Sequence, residues 1–518
     1  MQRGYSFSIL HTTGYSWVLL QQLELITKYP KIYWETAVLQ VESGAIEQAK
    51  DEDDEDDDES ESKERTTNYE AIGSGIATLQ KQGVNITVPD INVAGTGFTP
   101  NETTNSIVYG LKSIASINNN TTELIMANRP YNSMKDFYDR MCMVKVEVPM
   151  KKDPSKTQMK ALISHSQMMN LLQAGAFDNI ENKPRELIIE DYLRFRNKPL
   201  DKLTKKHIDD LLDRNLIPEE YEDSLRYYDF REYLKAGLAK QPDSSAKSKM
   251  WYLLDGEDEA DTDHVVNAFF DMFPELDEGT HWKYDTESNA IWVLTGGTAK
   301  QSFEGVCNAH IAPLTRFMNS SECLSAYNES RFQDVKREVM CDSIAQGEME
   351  SCCCYFGEHE LALIDNELYG VKNFFELEEE PVVVEYWTKR NKETGTEMQI
   401  PKFRIDRICG TVLGRNKTKH TVTVLTEFGV VNCKYYGGQF NHYDRQLSVQ
   451  DSVTGKKRTV EKSWFSRGNI LLLHGVRQQD QFRIKTYKNG LYSHSTYKVT
   501  KVYDDGFLTY DEERTIID

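Results

Sequence analysis

Within twelve residues, Lys434, Tyr435, Tyr436, Phe440, Tyr443 and Arg445 interleave cations with aromatic rings. That mixture suits a single nucleic-acid strand, because cations track the phosphates while flat rings stack on the bases. Arg404, Arg415, Lys417 and Lys419 lie upstream, and Lys456, Lys457 and Arg458 follow as a basic tip. Residues 402 to 500 hold eighteen Lys or Arg against six Asp or Glu, a local charge of +12, although the 518-residue chain carries a net charge of −21. The overall acidity therefore does not exclude a phosphate-binding surface. The competing reading places Tyr435 or Phe440 in a core, with the lysines merely solvating its outside; the clustered charge favours binding.

Other side chains suggest chemistry and then fail on spacing. Nucleotidyl transfer needs carboxylates that hold two divalent ions about 4 Å apart. Asp261-Thr262-Asp263 is the nearest pattern, but it lacks a third acid and a flanking strand, so it reads as a solvated loop. In the run 51–61, ten of eleven residues are carboxylates; their mutual repulsion prevents packing and favours a disordered loop over a metal site. Cys307 and His310 have CxxH spacing, with Cys323 and Cys341 later, but the gaps are irregular for zinc. The nine cysteines show no CxxC pair and read as reduced thiols. His359 reads as a structural hydrogen-bonder. No cofactor or metal is therefore expected on this chain. The apolar stretch Trp17–Ile26 is broken by Gln21, Gln22 and Glu24, too short and polar to span a bilayer. Without a signal peptide, a cytoplasmic location and no membrane partner are expected.

The elements that must position these groups follow from periodicity. Gly14–Leu39 predicts two short helices with a bend at Pro30, and Asn68–Gln82 predicts another helix. VNITVPDINV predicts an extended segment. Ile107–Arg140 predicts helix, turn, helix: IVYGLKSIA, SINNNT, TELIMANR. Such a hairpin aims backbone N–H groups at a duplex phosphate without reading sequence. Its candidate contacts are Lys112, Ser116, Asn118, Asn119, Asn120 and Thr121, with Asn118 supplying left-handed backbone. Thr157–Phe177 predicts a helix, and 181–260 more helices around a polar linker. From Pro401 onward, short alternating runs broken by turn residues predict about five strands of a small Greek-key barrel. The fold class is α+β and multidomain, helical first and an OB-type barrel last.

Several ordered motifs resemble the C-family replicative DNA polymerases, which include the bacterial polymerase III alpha subunit. His11, Tyr15 and Ser16, followed by a helix ending at Tyr29-Pro30, resemble the end of that family's fingers domain. GVNITVPDIN, IVYGLKSI and LLQAGAFD keep the order of its downstream landmarks. EMESCCCYFGEHEL, through Tyr355, His359 and Leu361, resembles a later boundary string. The resemblance implies fingers end at 1–45, an acidic loop at 46–67, helix-hairpin-helix duplex binding at 68–180, a helical linker at 181–345, a boundary segment at 346–395 and a nucleic-acid-binding barrel at 396–518. It also implies a Gly-hydrophobic-Gly turn in the hairpin, where this chain has Ser116-Ile117-Asn118. The family's palm motif P-D-x-D-x-D-F is absent here, so Mg2+ is expected on a palm-containing half encoded elsewhere, and this chain alone is expected not to polymerise. Met1 would fall inside the fingers, as in a split gene or a fragment of phage type, acting in an infected bacterium. Expected partners are primer–template duplex, single-stranded template, the palm half and a sliding clamp, the last through FFDMF at 269–273 or QLSV at 446–449. The rival reading is a stand-alone single-strand-binding accessory protein.

Overall fold

Proline has no N–H and clashes with a preceding helical turn; accordingly, Pro30 separates helix α1 (Ile9–Lys28) from helix α2 (Lys31–Glu42). These helices belong to a computed structural model that describes residues 9–42, 44, 67–150, 153–236, 238–239, 249–253, 267, 271, 274, 276, 282–285, 290–294, 303–341, 343–357, 359–390, 397–450, 457–485 and 495–511. The chain divides into two compact units, residues 1–192 with 340–518, and residues 193–339.

In the first unit, Asn68 caps helix α3 (Tyr69–Lys81) by accepting the Ala71 N–H at 3.1 Å, and Ile72, Gly73, Ile76 and Leu79 make its buried stripe. The first hairpin helix expected at IVYGLKSIA is instead the strand Ser106–Val108 followed by one 3-10 turn, Leu111–Ser113. The β-branched pair Ile107 and Val108 lies parallel to Asn85–Thr87, and Gly110 abuts Gly97 so closely that a Cβ would stand 2.4 Å from its carbonyl carbon. A continuous helix cannot satisfy both contacts. Helix α4 (Asn119–Ala127) does form. The helix expected over Thr157–Phe177 begins late. Asp153–Ala161 pairs antiparallel with Lys145–Met150, and helix α5 (His165–Gln173) starts at a Ser164/Gln167 capping box. The stretch Lys156–Lys160 offers no apolar stripe at helical spacing, so a ribbon satisfies its backbone.

The α+β class and the OB-type barrel are what the structure has. Five barrel strands are β1 (Asp406–Asn416), β2 (Thr421–Thr426), β3 (Gly429–Lys434), β4 (Ile470–Gln478) and β5 (Gln481–Ile484). They run in spatial order β1-β2-β3-β5-β4, with β3 parallel to β5, and β4 pairs back onto β1 to close the sheet. Val412, Val422, Val424, Val431, Leu471 and Phe482 fill the interior. Alternation should leave the other face of β2 in water. Yet Thr423 and Leu425 are buried, because α3 and helix α6 (Ile344–Cys352) cover that side: Leu413 and Leu425 pack with Met349, Cys353 and Tyr355, and the Thr423 hydroxyl bonds Glu70.

The boundary string is therefore internal scaffolding. Cys352, Cys353 and Cys354 are buried, which pushes the first two thiols up to about 12 and the third further, so all three stay protonated. Buried Tyr109 donates to the Cys352 carbonyl at 2.7 Å. Arg185 bridges Asp178 at 2.7 Å and buried Glu348 at 2.8 Å. Burial works against the Arg185 charge, but those two carboxylates outweigh it and raise its pKa. His359 is drawn by burial to about 4 and its Nδ1 accepts the Leu361 N–H, as a structural histidine would.

The second unit has its own core of Trp282, Ile311, Leu314, Met318 and Tyr327. Helices Glu222–Ala236, Phe303–Met318 and Ser321–Val339 accompany a four-stranded antiparallel sheet. Cys307 and Cys323 lie in this core and His310 stacks on Tyr227 at 3.9 Å, whereas Cys341 belongs to the first unit.

Candidate nucleic-acid interface

The hairpin turn is held from three sides. Asn118 caps α4 by accepting the Thr121 N–H at 2.8 Å. Gln167 donates to the Ser116 carbonyl at 3.1 Å and to the Thr121 hydroxyl at 3.0 Å, and Asn170 donates to the Ala115 carbonyl at 2.7 Å. The Ala115 N–H bonds the Ser351 carbonyl at 2.8 Å. Left-handed backbone falls on Ser116 at φ +64°, not on Asn118, which is extended as an N-cap must be. A serine held there costs about 1 kcal/mol or more, which these bonds offset. Ser116, Asn118 and Asn120 are exposed, Asn119 is half-buried and Thr121 is buried. Lys112 is not on this surface as expected: it is 4% exposed, and its N–H bonds the Thr96 carbonyl. What faces outward is the positive end of α4 with small polar side chains, a geometry suited to one phosphate.

In the barrel, three of the four expected stacking rings are turned inward. Tyr435, Phe440 and Tyr443 are buried, joining Trp464 and Phe465, which sequence reading missed. Tyr443 stacks on Trp464 at 5.2 Å, and Tyr435 bonds the Thr496 hydroxyl at 2.9 Å. Burial holds the Tyr435 hydroxyl well above its ordinary pKa. The cause is helix α7 (Gly437–Asp444), which lies between β3 and β4 and turns Phe440 and Tyr443 into the barrel. Tyr436, 61% exposed, remains outside.

The cations separate into groups. Arg415, Lys417, Arg445 and Lys462 line one recess of about 640 Å3 with Asp444, Asn441 and Ser463. Arg415 meets Asp444 at 2.8 Å, the Ser463 hydroxyl at 3.1 Å and the Phe465 carbonyl at 3.0 Å, while Lys417 reaches Asp444 at 3.4 Å. Asp444 thus fixes Arg415 and cancels one of four positive charges. Lys462 was not singled out from sequence, although it lies four residues beyond the basic tip at 456–458. Lys419 is exposed on the β1–β2 turn beside the recess, and Lys434 reaches its carbonyl. Arg404 is outside this group, paired with Asp406 at 3.3 Å. Lys456 lies outside the described residues, as do the side chains of Lys457 and Arg458 in their strand. His11 and Tyr15 sit edge-on at 5.2 Å on α1, far along the chain from these cations.

OB barrels customarily bind strands across the β2–β3 face and the flanking turns. Here α3 occupies that face, leaving the β1–β2 turn and the recess. Among the described residues no three or more His, Cys, Asp or Glu side chains converge as metal ligands, and Asp261 and Asp263 lie outside those residues. Of the two expected clamp motifs, only Asp271 of FFDMF is described, and Leu447 of QLSV is half-buried in the strand Leu447–Gln450. No described helix is long and apolar enough to cross a membrane.

Residues 83–187 match the helix-hairpin-helix motif family. The chain is 30% identical over 520 residues to the probable DNA polymerase YorL of Bacillus subtilis (strain 168), and equally to the DNA-directed DNA polymerase of Bacillus phage SPbeta. Each alignment covers 100% of this chain and 36% of the relative. The chain is therefore similar, end to end, to about a third of the length of the curated relatives it matches, and both relatives are named as DNA polymerases.

Proposed function

We propose that this chain is the nucleic-acid-gripping portion of a C-family, phage-type DNA-directed DNA polymerase, and that another polypeptide segment supplies the Mg2+-binding carboxylates. The observation that carries this reading is the match of the whole chain to about a third of two proteins named as DNA polymerases, combined with a sequence that lacks P-D-x-D-x-D-F. The hairpin at Ser116–Asn120 takes a duplex phosphate through the α4 N-terminus. The recess takes the phosphates of a single strand, with Arg415 held ready by Asp444 and Tyr436 exposed nearby in sequence for stacking.

Fluorescence anisotropy with a primed duplex bearing a single-stranded overhang tests this reading. Three to four phosphate contacts predict a slope of about −3 in log K against log salt. A salt-independent affinity, or none at low salt, would overturn the binding part. Primer extension by the chain alone would overturn the assignment of its carboxylates to another segment.

A further inference from the structure

The strands Lys145–Met150 and Asp153–Ala161 pair antiparallel as a two-stranded ribbon. Val146 faces Lys160 and Glu147 faces Met159, and all four are exposed. Paired residues share a face and successive residues alternate faces, so both faces of this ribbon stand in water at these positions. An uncovered pair of strands is marginal in water, and the charge of this one runs against the rest of the molecule. Residues 145–160 hold five lysines against Glu147 and Asp153, a local charge of +3 in a chain of net charge −21. Solubility would be served by either sign, whereas lysines at this density suit a polyanion.

The root of the ribbon is fixed. Met141 and Ile163 are buried, and the Ile163 N–H bonds the Met141 carbonyl at 3.0 Å. The chain then passes through Ser164, the cap of α5, to Gln167 and Asn170, which hold the hairpin turn at Ser116 and Ala115. At about 1.5 Å per helical residue, the root lies within about 10 Å of those side chains along α5. One short helix therefore carries both the ribbon and the turn.

The major groove of B-DNA, about 12 Å wide and about 8.5 Å deep, admits a two-stranded ribbon. A single sheet layer with its side chains takes about 10 Å, and six residues of strand reach about 20 Å, so the ribbon fits the width and exceeds the depth. Lys145 lies on one face and Lys156 and Lys160 on the other. Set into the groove, the ribbon has a cation toward each phosphate wall. A membrane surface suits it less, because a bilayer takes an apolar face opposite a cationic one, while Val146 and Met159 share their faces with charged residues.

We infer that this ribbon enters the major groove of the duplex whose phosphate the hairpin turn holds, as a second contact made through phosphates rather than base edges. The inference rests on the proposed duplex contact at Ser116–Asn120.

The test compares the full chain with its Lys145→Ala/Lys156→Ala/Lys160→Ala variant. Affinity for a blunt duplex and for one of its strands is measured across a salt series, with urea unfolding in parallel. Dimethyl sulfate methylation of the bound duplex reports the major groove at guanine N7 and the minor groove at adenine N3. The variant should bind duplex about tenfold or more weakly, with a salt slope shallower by about two to three. It should also lose the guanine N7 protection given by the wild type, and keep its single-strand affinity and unfolding midpoint. Equal duplex affinity and slope, an equal loss for duplex and single strand, or wild-type protection confined to adenine N3 would each overturn the inference and leave the functional reading standing. A wild-type chain that bound no duplex at low salt would overturn both.

Discussion

Two outer surfaces of the barrel share strand β1 and have opposite fates. Across β1–β3, α3 and α6 shut out water, and Thr423 is buried against Glu70. At the β1–β2 turn and the end of α7, the surface is open and holds four cations around Asp444. The difference teaches that strand sequence alone does not select a binding face. Whichever face the rest of the chain leaves uncovered is the one available, and here that is the charged rim.

The comparison breaks most directly at the scaffold behind the covered face. Arg185→Ala leaves Glu348 buried and unpaired, and should cost about 3–5 kcal/mol in urea unfolding, whereas a loss below about 1 kcal/mol would mean that water reaches Glu348. Gly73→Ala is milder. A Cβ there lies 2.8 Å from the Cys353 carbonyl and 3.0 Å from Leu413, and overpacking predicts about 1–3 kcal/mol. A wild-type unfolding midpoint would show that α3 does not seat tightly on the barrel.

Two partly buried histidines add a pH dependence. Burial lowers both His359 and His474 to about 4, and Arg407 adds to the shift at His474. The unfolded chain binds protons at these sites from about pH 6.5 downward while the folded chain does not. Stability should therefore fall as pH drops from about 6.5 to about 4 and level off below. A thermal midpoint flat across that window would contradict the burial of these rings.

Changes at the rim should act on binding instead. Lys417→Glu should lower affinity for primed DNA by tenfold or more, because it removes an exposed cation and sets a second carboxylate beside Asp444. Lys419→Ala, at an exposed position, should cost about 1 kcal/mol of binding or less and reduce the salt slope by about one contact. An unfolding effect larger than the binding effect at either site would erase the distinction between the two surfaces.

Much of the barrel was legible because alternation in TVTVLT and GVVNCK has one period whichever partner it meets. Pro30 and the helix starting at Asn68 were equally local signals. The aromatic cluster was not, because interleaving of rings and cations at 434–445 does not say where the chain leaves β3 for α7, and that change of direction turns Phe440 and Tyr443 inward. IVYGLKSIA was misread as helix because its apolar run fits either period, and the deciding contact is the approach of Gly110 to Gly97. Cover of the barrel by α3 joins Glu70 to Thr423 across more than three hundred residues, for which no local pattern exists.

The most direct measurement is the salt dependence of primed-DNA binding by the wild-type chain and by a Lys417→Ala/Lys462→Ala variant, with urea unfolding of both in parallel. A salt-driven grip at the rim predicts weaker binding and a shallower slope for the variant, with an unchanged unfolding midpoint. Equal affinity and equal slope in a variant that folds normally would contradict it.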